Sequence, residues 1–474
     1  KSCDSTEAEK MPGVIKVVKE DDFIGVIAES HFQAEMARKA LKVEWAINQT
    51  WNLEDIVGMT KVGQGEATVI QKAGDTDELF EEAESDEVLS LEFSSPIGAH
   101  AQLEPNGATA IVKDGKATVW LSTQVPAVTL NEVADRLGMD KDNVNIIPQY
   151  LGGGFGRRLH TPNAMQAAVM SQAVDGRPVK SFFDRKQEFQ NDTFRPPTHH
   201  VMRGRLDESG NIAALEHSFS SGDVAFNSAI FPAAARPVIG ADIGAIRGGM
   251  IMYRNIPNIK ATSWHVDLPF ATSWWRSLGL LANTFAIESF VDELAIKAER
   301  NAVDFRLAHL PDTEAGTRMA NVIKACTEKA GYSEAVTNGR AMGFAASVDA
   351  GSPCAHVVEV SVEDNEIKVH KVTVGFDCGI AVNPDQVKAQ VEGCVIMGIS
   401  ASMFEKMNLK DNQLLPTIYG PYQMALMKDA PKEIDVVLLQ GVDYAGPVGE
   451  PPLGPIGAAI ANAVRRITGQ RLTS

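Results

Sequence analysis

Cysteine is scarce in this chain. Five occur in 474 residues, Cys3, Cys326, Cys354, Cys378 and Cys394, and none forms a CxxC pair. That spacing gives no zinc or iron–sulfur ligand set. A sparse, odd set also excludes a disulfide framework, so each cysteine is expected to be a small core residue. Histidine does not cluster either. His199-His200 is the one adjacent pair, and neighbours on an extended chain face opposite ways, which excludes a metal site there. Basic residues are outnumbered, 44 Lys plus Arg against 61 Asp plus Glu, for a net charge of −17. Such a balance argues against a nucleic-acid partner and an anionic membrane surface. No apolar run reaches the ~18 residues of a membrane span. The motifs GxSxG, HExxH and the Walker lysine are all missing, which removes the common hydrolase and P-loop readings. The start, Lys1-Ser2-Cys3-Asp4, carries no signal-peptide pattern and is expected to be a cut or processed end.

What is present is an ordinary globular composition, 44% hydrophobic and 22% charged, long enough for about three domains. Strands and helices come in blocks without strict alternation, so the expected class is α+β with mixed sheets and packed helices. Strands are expected at 14–18, 23–28, 88–93, 108–112, 117–122, 143–148, 201–206, 212–218, 357–362, 366–375 and 433–439. Helices are expected at 32–45 (running into a strand), 126–137, 162–174, 302–310, 317–330, 384–403 and 457–468. The stretch 277–300 carries the longest helical pattern. Residues 64–86, polar and acidic, are expected to be a linker or surface excursion. Residues 219–250, rich in Gly, Ala and Pro, fit no element.

The chain is organised around Leu151-Gly152-Gly153-Gly154-Phe155-Gly156-Arg157-Arg158, between an alternating strand and a helix. Glycine backbone reaches positive φ and approaches a ligand closely, leaving N–H groups to face anionic oxygen. The following helix start would add a favourable dipole, and the two arginines fixed positive charge. The bland alternative is a tight structural turn. Far downstream, Glu450 sits between Gly449 and Pro451-Pro452, which would hold a carboxylate rigidly enough for a general base. Its apolar neighbours would raise its pKa; the alternative is a solvated loop glutamate. Arg276 follows Trp274-Trp275 and suits an anionic ligand or a stacking role equally. Gln124 ends a strand before a helix and offers one acceptor and two donors, as a turn residue also would. Gln390 lies in a helical pattern where a surface position is the default.

Taken in order, His100–Pro105, Thr123-Gln124, Gly152–Arg158, Arg276–Gly279, Phe376–Gly379 with Asn383-Pro384, Gln390–Gly393, Val448–Pro451 and Ala461–Ala463 resemble the molybdenum-binding subunit of the xanthine oxidase family. The resemblance covers essentially the whole chain. Its Arg-Arg ending resembles the branch of isoquinoline 1-oxidoreductase and bacterial aldehyde dehydrogenases. It implies a molybdopterin cofactor, in the cytosine dinucleotide form of bacterial relatives, with molybdenum held by the pterin and no protein side chain as ligand. It implies oxidation of an aldehyde or N-heteroaromatic carbon with water as oxygen source. Glu450 would be the general base, Gln124 would bond the apical oxo ligand, and Arg276 would polarise substrate or stabilise developing negative charge. Gly152, Gly153, Gly154, Phe155, Gly156, Arg157, Gln390, Gly393 and Gly449 would contact the cofactor.

The same resemblance implies a partner with [2Fe–2S] clusters, since two electrons need an outlet, and, in this branch, a possible cytochrome c subunit and a periplasmic location. It divides the chain into a partial hammerhead-like α/β domain and linker (1–86) and two molybdopterin-binding domains (87–310 and 311–474). Two features depart from the pattern. Leu159 stands where purine-oxidising relatives carry an acidic residue, and a region with a Met-Gly-Gln-Gly motif that relatives carry ahead of this point is not in the sequence. A separate chain supplying that region, or a fragment of the subunit, would account for the second. The competing readings are a phosphate- or nucleotide-binding enzyme and a non-catalytic assembly member of the same fold.

Overall fold

A computed structural model describes residues 2–84, 86–228, 230–231 and 236–474. Three sheets of four or five strands position the site. In the first, Gly107–Lys113 and Lys116–Leu121 form a hairpin, flanked by Val179–Phe182 and, in parallel, by Val144–Pro148. Asp114 and Gly115 turn the hairpin with φ of 50° and 72°, the two positive values that a two-residue turn between right-twisted strands requires. Alternate residues Ala108, Ala110 and Val112 face the helices Pro126–Leu137 and Pro162–Ala173. Both helices carry proline in the first turn, where its missing N–H has no partner to lose. Gly138, at φ 62°, closes the former.

The second sheet runs Glu66–Ala73, Asn258–His265, Ile212–Ser221, Thr198–Leu206 and Val88–Ser95 in spatial order. Helix Leu280–Lys297 lays Ile287, Phe290 and Leu294 on Phe93, Met202 and Leu215 of this sheet. Truncating Phe290 to Ala would cost about 3–5 kcal/mol at such a buried position. The third sheet runs Arg340–Asp349, Ser352–Glu363, Glu366–Asp377 and Glu433–Leu439, covered by Pro384–Met403 and the terminal helix Ile456–Thr468. Helix Leu280–Lys297 also packs on the terminal helix, so one element joins the second and third sheets.

Most expected elements occur within a residue or two of their expected bounds, and the mixed α+β class holds. Three readings are corrected. Residues 66–73 are an edge strand, not a linker: their charged side chains face solvent while the backbone pairs with Asn258–His265. The longest described helix is Pro384–Met403 at 20 residues, against 18 for Leu280–Lys297, because Ser277 and Leu278 are left-handed and delay the latter's start. Strand Arg340–Asp349 was not foreseen; its small residues Gly343 and Ala345 pack beneath the terminal helix, while Ala346, on the other face, packs with Val322 and Ile323. Of the stretch 219–250, Ala229 and residues 232–235 lie outside the described residues.

Candidate functional site

After strand Val144–Pro148 the backbone takes φ of 95° at Gly153, 59° at Phe155 and 108° at Gly156. Phe155 holds a conformation costly for a side-chain-bearing residue. At Gly156 a Cβ would overlap the Trp274 carbonyl oxygen, so only glycine fits. The loop is tied from below. Gln124 Oε1 accepts from Gly156 N (3.2 Å), Glu104 Oε2 accepts from Gly152 N (2.9 Å), and Arg158 Nε donates to Gly153 O (2.7 Å). Among the described residues, the N–H groups of Gly153, Gly154 and Phe155 make no hydrogen bond.

Arg157 corrects one expectation. It is 1% exposed, and its guanidinium is used by Glu188 Oε1 (2.6 Å), His160 O (3.3 Å) and Asn191 O (3.1 Å), with Asp192 at 3.2 Å. Its charge anchors the loop exit and does not face open space. Arg158, fully buried, does the same toward Glu104 and Asn106 Oδ1. A second correction concerns the helix dipole. A single tight turn, Arg157–Leu159, follows the loop, and the helix begins only at Pro162, so the loop's own amides supply the positive end.

Arg276 joins the distant segments. Its backbone N–H donates to Phe155 O (3.0 Å) of the glycine loop. Its Nε donates to Gly449 O (2.7 Å), and its Nη2 to Gln390 Oε1 (2.7 Å). Gly393 lies beside Arg276 Nη1, with room for a Cβ only at 3.5 Å. The next residue, Ser277, donates from Oγ to Glu450 O (2.7 Å). The triglycine bend, Arg276, the Gln390 helix and the Gly449-Glu450 turn therefore meet at one place. Ser277 and Leu278 have φ of 72° and 54°. Two consecutive left-handed side-chain-bearing residues are rare outside turns and mark stored strain.

The setting of Glu450 differs from the apolar one expected. Its Oε2 accepts from Arg247 Nη1 at 2.7 Å, and Oε1 has no partner among the described residues. Arg247 also pairs with Asp349 through Nε (2.7 Å) and Nη2. Burial pushes the Asp349 carboxyl up, against the opposing pull of Arg247. For Arg247, burial works against the charged form, and the bonds and charges of Asp349 and Glu450 outweigh it. Arg247 and Asp349 were not foreseen; the only signal was Arg247-Gly248-Gly249 inside the unassigned stretch. Asp242 organises that stretch, accepting from the backbone N–H of Val224, Ala225, Phe226 and Gly244 at 2.7–2.9 Å. Cys394, also unforeseen here, donates from Sγ to Gly449 O at 3.3 Å, and burial pushes its thiol up to about 12, so it is a neutral donor.

Comparison with known proteins gives this arrangement a family. A model described as molybdopterin cofactor-binding domain matches residues 61–310, and a second of that description matches 288–431. The chain belongs to this family, as a molybdenum-binding large subunit of the xanthine oxidase type. It is 29% identical to a membrane-bound aldehyde dehydrogenase (pyrroloquinoline-quinone) of Gluconacetobacter polyoxogenes, over 100% of this chain and 65% of that protein. It is 29% identical to isoquinoline 1-oxidoreductase subunit beta of Brevundimonas diminuta, over 99% of this chain and 62% of that protein. Quinoline 2-oxidoreductase from Pseudomonas putida 86 shares the fold, with a TM-score of 0.83 at 16% identity, over 99% of this chain and 90% of that one. The chain thus spans less than two thirds of the length of these two curated relatives.

The residues present fit an oxygen-rich anionic pterin. Three consecutive unpaired N–H groups provide donors at Gly153, Gly154 and Phe155. A Cβ on Gly449 would meet nothing within 4 Å, so the backbone there borders open space. No described helix is long and apolar enough to cross a membrane.

Proposed function

We propose that this chain is the catalytic part of a molybdenum hydroxylase oxidising an aldehyde or an N-heteroaromatic ring carbon. The observation that carries the reading is Arg276, which bonds the glycine loop through its backbone and the Gly449-Glu450 turn through its side chain. When bound, molybdopterin supplies a two-electron centre and an oxygen drawn from water. Gly153, Gly154 and Phe155 would hold it through backbone N–H groups, with Gly152, Gly156, Gln390, Gly393 and Gly449 lining its surroundings, and Gln124 would turn its free amide NH2 toward it. Arg157 acts on the group only by fixing the loop.

Glu450 is the general base. Its Oε2 is pinned by Arg247, which leaves Oε1 as a fixed acceptor for a proton. Arg276, held at Nε and Nη2, keeps Nη1 for negative charge that develops on substrate. The cytosine dinucleotide form of the pterin, a [2Fe–2S] partner, a possible cytochrome c subunit, a periplasmic location and the division at residues 86 and 310 belong to the same proposal. The experiment is elemental and cofactor analysis of the purified complex, followed by Glu450→Gln. Molybdenum and iron without quinone support the reading, and turnover should fall ~10²–10⁴-fold. Molybdenum without iron removes the iron–sulfur partner, and undiminished turnover in the variant removes Glu450 from its role.

A further inference from the structure

Asp349 and the motif Phe376-Asp377-Cys378-Gly379 take no part in the proposed chemistry, yet both lead to Glu450. Asp349 ends strand Arg340–Asp349 and pairs with Ser352 across a two-residue turn, Ala350-Gly351, with φ of 45° and 81°. Positive φ at both positions is what such a hairpin requires. Asp377 holds this turn through Arg318: its Oδ2 accepts from Arg318 Nε (2.8 Å), and Arg318 Nη1 donates to Gly351 O (2.8 Å). The same motif holds the chain that runs to Glu450. Asp377 Oδ1 accepts from Gly441 N (3.1 Å), and Cys378 O from Gly446 N (2.7 Å). The backbone at Arg247 is held separately, by Asn283 Nδ2, which donates to Ala245 O and Arg247 O, both at 2.9 Å. Three segments of backbone are thus fixed around one guanidinium.

Asp349 is 4% exposed and takes Arg247 through Nε and Nη2. One nitrogen, Nη1, remains for Glu450 Oε2. An arginine without that commitment offers a carboxylate two parallel bonds. Forked onto Glu450 in this way, Arg247 would cover Oε1 as well as Oε2. It would also favour the ionised carboxylate more strongly, which weakens a base. We propose that Asp349 is a positioning residue for the base: by occupying two nitrogens of Arg247 it restricts Glu450 to a single bond and keeps Oε1 open. This rests on the reading of Glu450 as the general base. The other titratable groups around the turn do not replace Asp349. Cys394 is a neutral thiol, and His356, which burial beside Pro452 lowers to about 3, is a neutral imidazole. Arg276 spends Nε and Nη2 on Gly449 O and Gln390, and Arg318 is committed to Asp377.

The test is Asp349→Asn in the purified complex, read by crystal structure and by the pH dependence of kcat/KM. Asparagine keeps the size but presents an NH2 to Arg247, so the fork is lost. Arg247 should then contact both Glu450 oxygens. The acid limb of kcat/KM should move to lower pH by about 0.5 unit or more, because one negative charge near Glu450 is gone. Turnover should fall ~10-fold or more with KM nearly unchanged, as for a displaced catalytic group. Asp349→Ser, smaller and neutral, carries the same expectations should the amide disturb folding. Asp349→Glu restores the charge and should return the acid limb to its parent position. A loss of stability alone moves neither the limb nor the Glu450 contacts. Oε1 left uncontacted in the neutral variants, an acid limb unmoved in them, or one still displaced in Asp349→Glu would each overturn the proposal. Should Glu450→Gln keep its turnover, the reading of the base fails. Should that variant be inactive while Asp349→Asn keeps the parent profile and contacts, only the role of Asp349 fails.

Discussion

Two pairs of arginines flank the glycine loop and do opposite things with the same functional group. Arg157 and Arg158, at 1% and 0% exposure, spend their donors on Glu188, Glu104, Asn106 and loop carbonyls. Arg276 and Arg247 are half-buried; Arg276 is tied on one edge only, to Gly449 O and Gln390, while Arg247 bonds Asp349 through Nε and Nη2 and Glu450 through Nη1. The first pair is saturated and therefore structural. The second pair orients the reactive side of the site while remaining next to open space.

Substitution should separate the pairs most sharply in stability. Arg157→Met strands Glu188 and Asp192 without their cation, and breaking a buried pair costs about 3–5 kcal/mol. Arg276→Met, at a partly exposed position, should cost within about 1 kcal/mol. Its turnover should still fall ~10²–10³-fold, the scale of losing one preorganised donor. Denaturant midpoints and steady-state rates of the two variants check this together. Equal stability losses would break the distinction.

Acid should act on the saturated side. His160 lies within it, its carbonyl bonded to Arg157 and its Nε2 2.8 Å from Ser273 Oγ. Burial, and then the charge of Arg157, lower its pKa from 6.5 to about 4. The unfolded chain therefore binds this proton first as pH falls. The stability His160 contributes is present above pH 6.5 and is lost between 6.5 and about 4, at up to about 1.4 kcal/mol per pH unit. His160→Gln should flatten that part of the stability curve by this amount. An unchanged slope would move the acid sensitivity to other buried histidines such as His217, which burial also lowers to about 4.

How much of this was legible beforehand follows the same division. The glycine loop, Gln124, Arg276, Gln390 and Glu450 were visible because their local context is unusual: glycine runs, paired prolines, tandem tryptophans. Element types were visible where the period was clean, as in Pro126–Leu137 and Pro384–Met403. The partners were not. Arg247 lies 203 residues from Glu450, and Glu188 lies 31 from Arg157, so no spacing rule joins them. Strand Glu66–Ala73 was missed because an edge strand with a wet face reads like a polar loop. Arg157 was assigned to the cofactor because sequence shows a charge but not the carboxylates folded around it.

The glycines give the smallest contrast. Gly156→Ala forces a Cβ onto the Trp274 carbonyl at a φ of 108°, and about 1–3 kcal/mol of strain is expected. Gly449→Ala meets open space, and its stability should stay within about 0.5 kcal/mol of the parent. What Gly449→Ala reports is occupancy. Its carbonyl bonds with Arg276 and Cys394 survive the substitution, so any fall in molybdenum content or turnover at unchanged stability comes from the added methyl entering space the cofactor fills. Parent-like metal content and rate would mean that Gly449 serves the site through its carbonyl oxygen alone, and would take it off the cofactor surface.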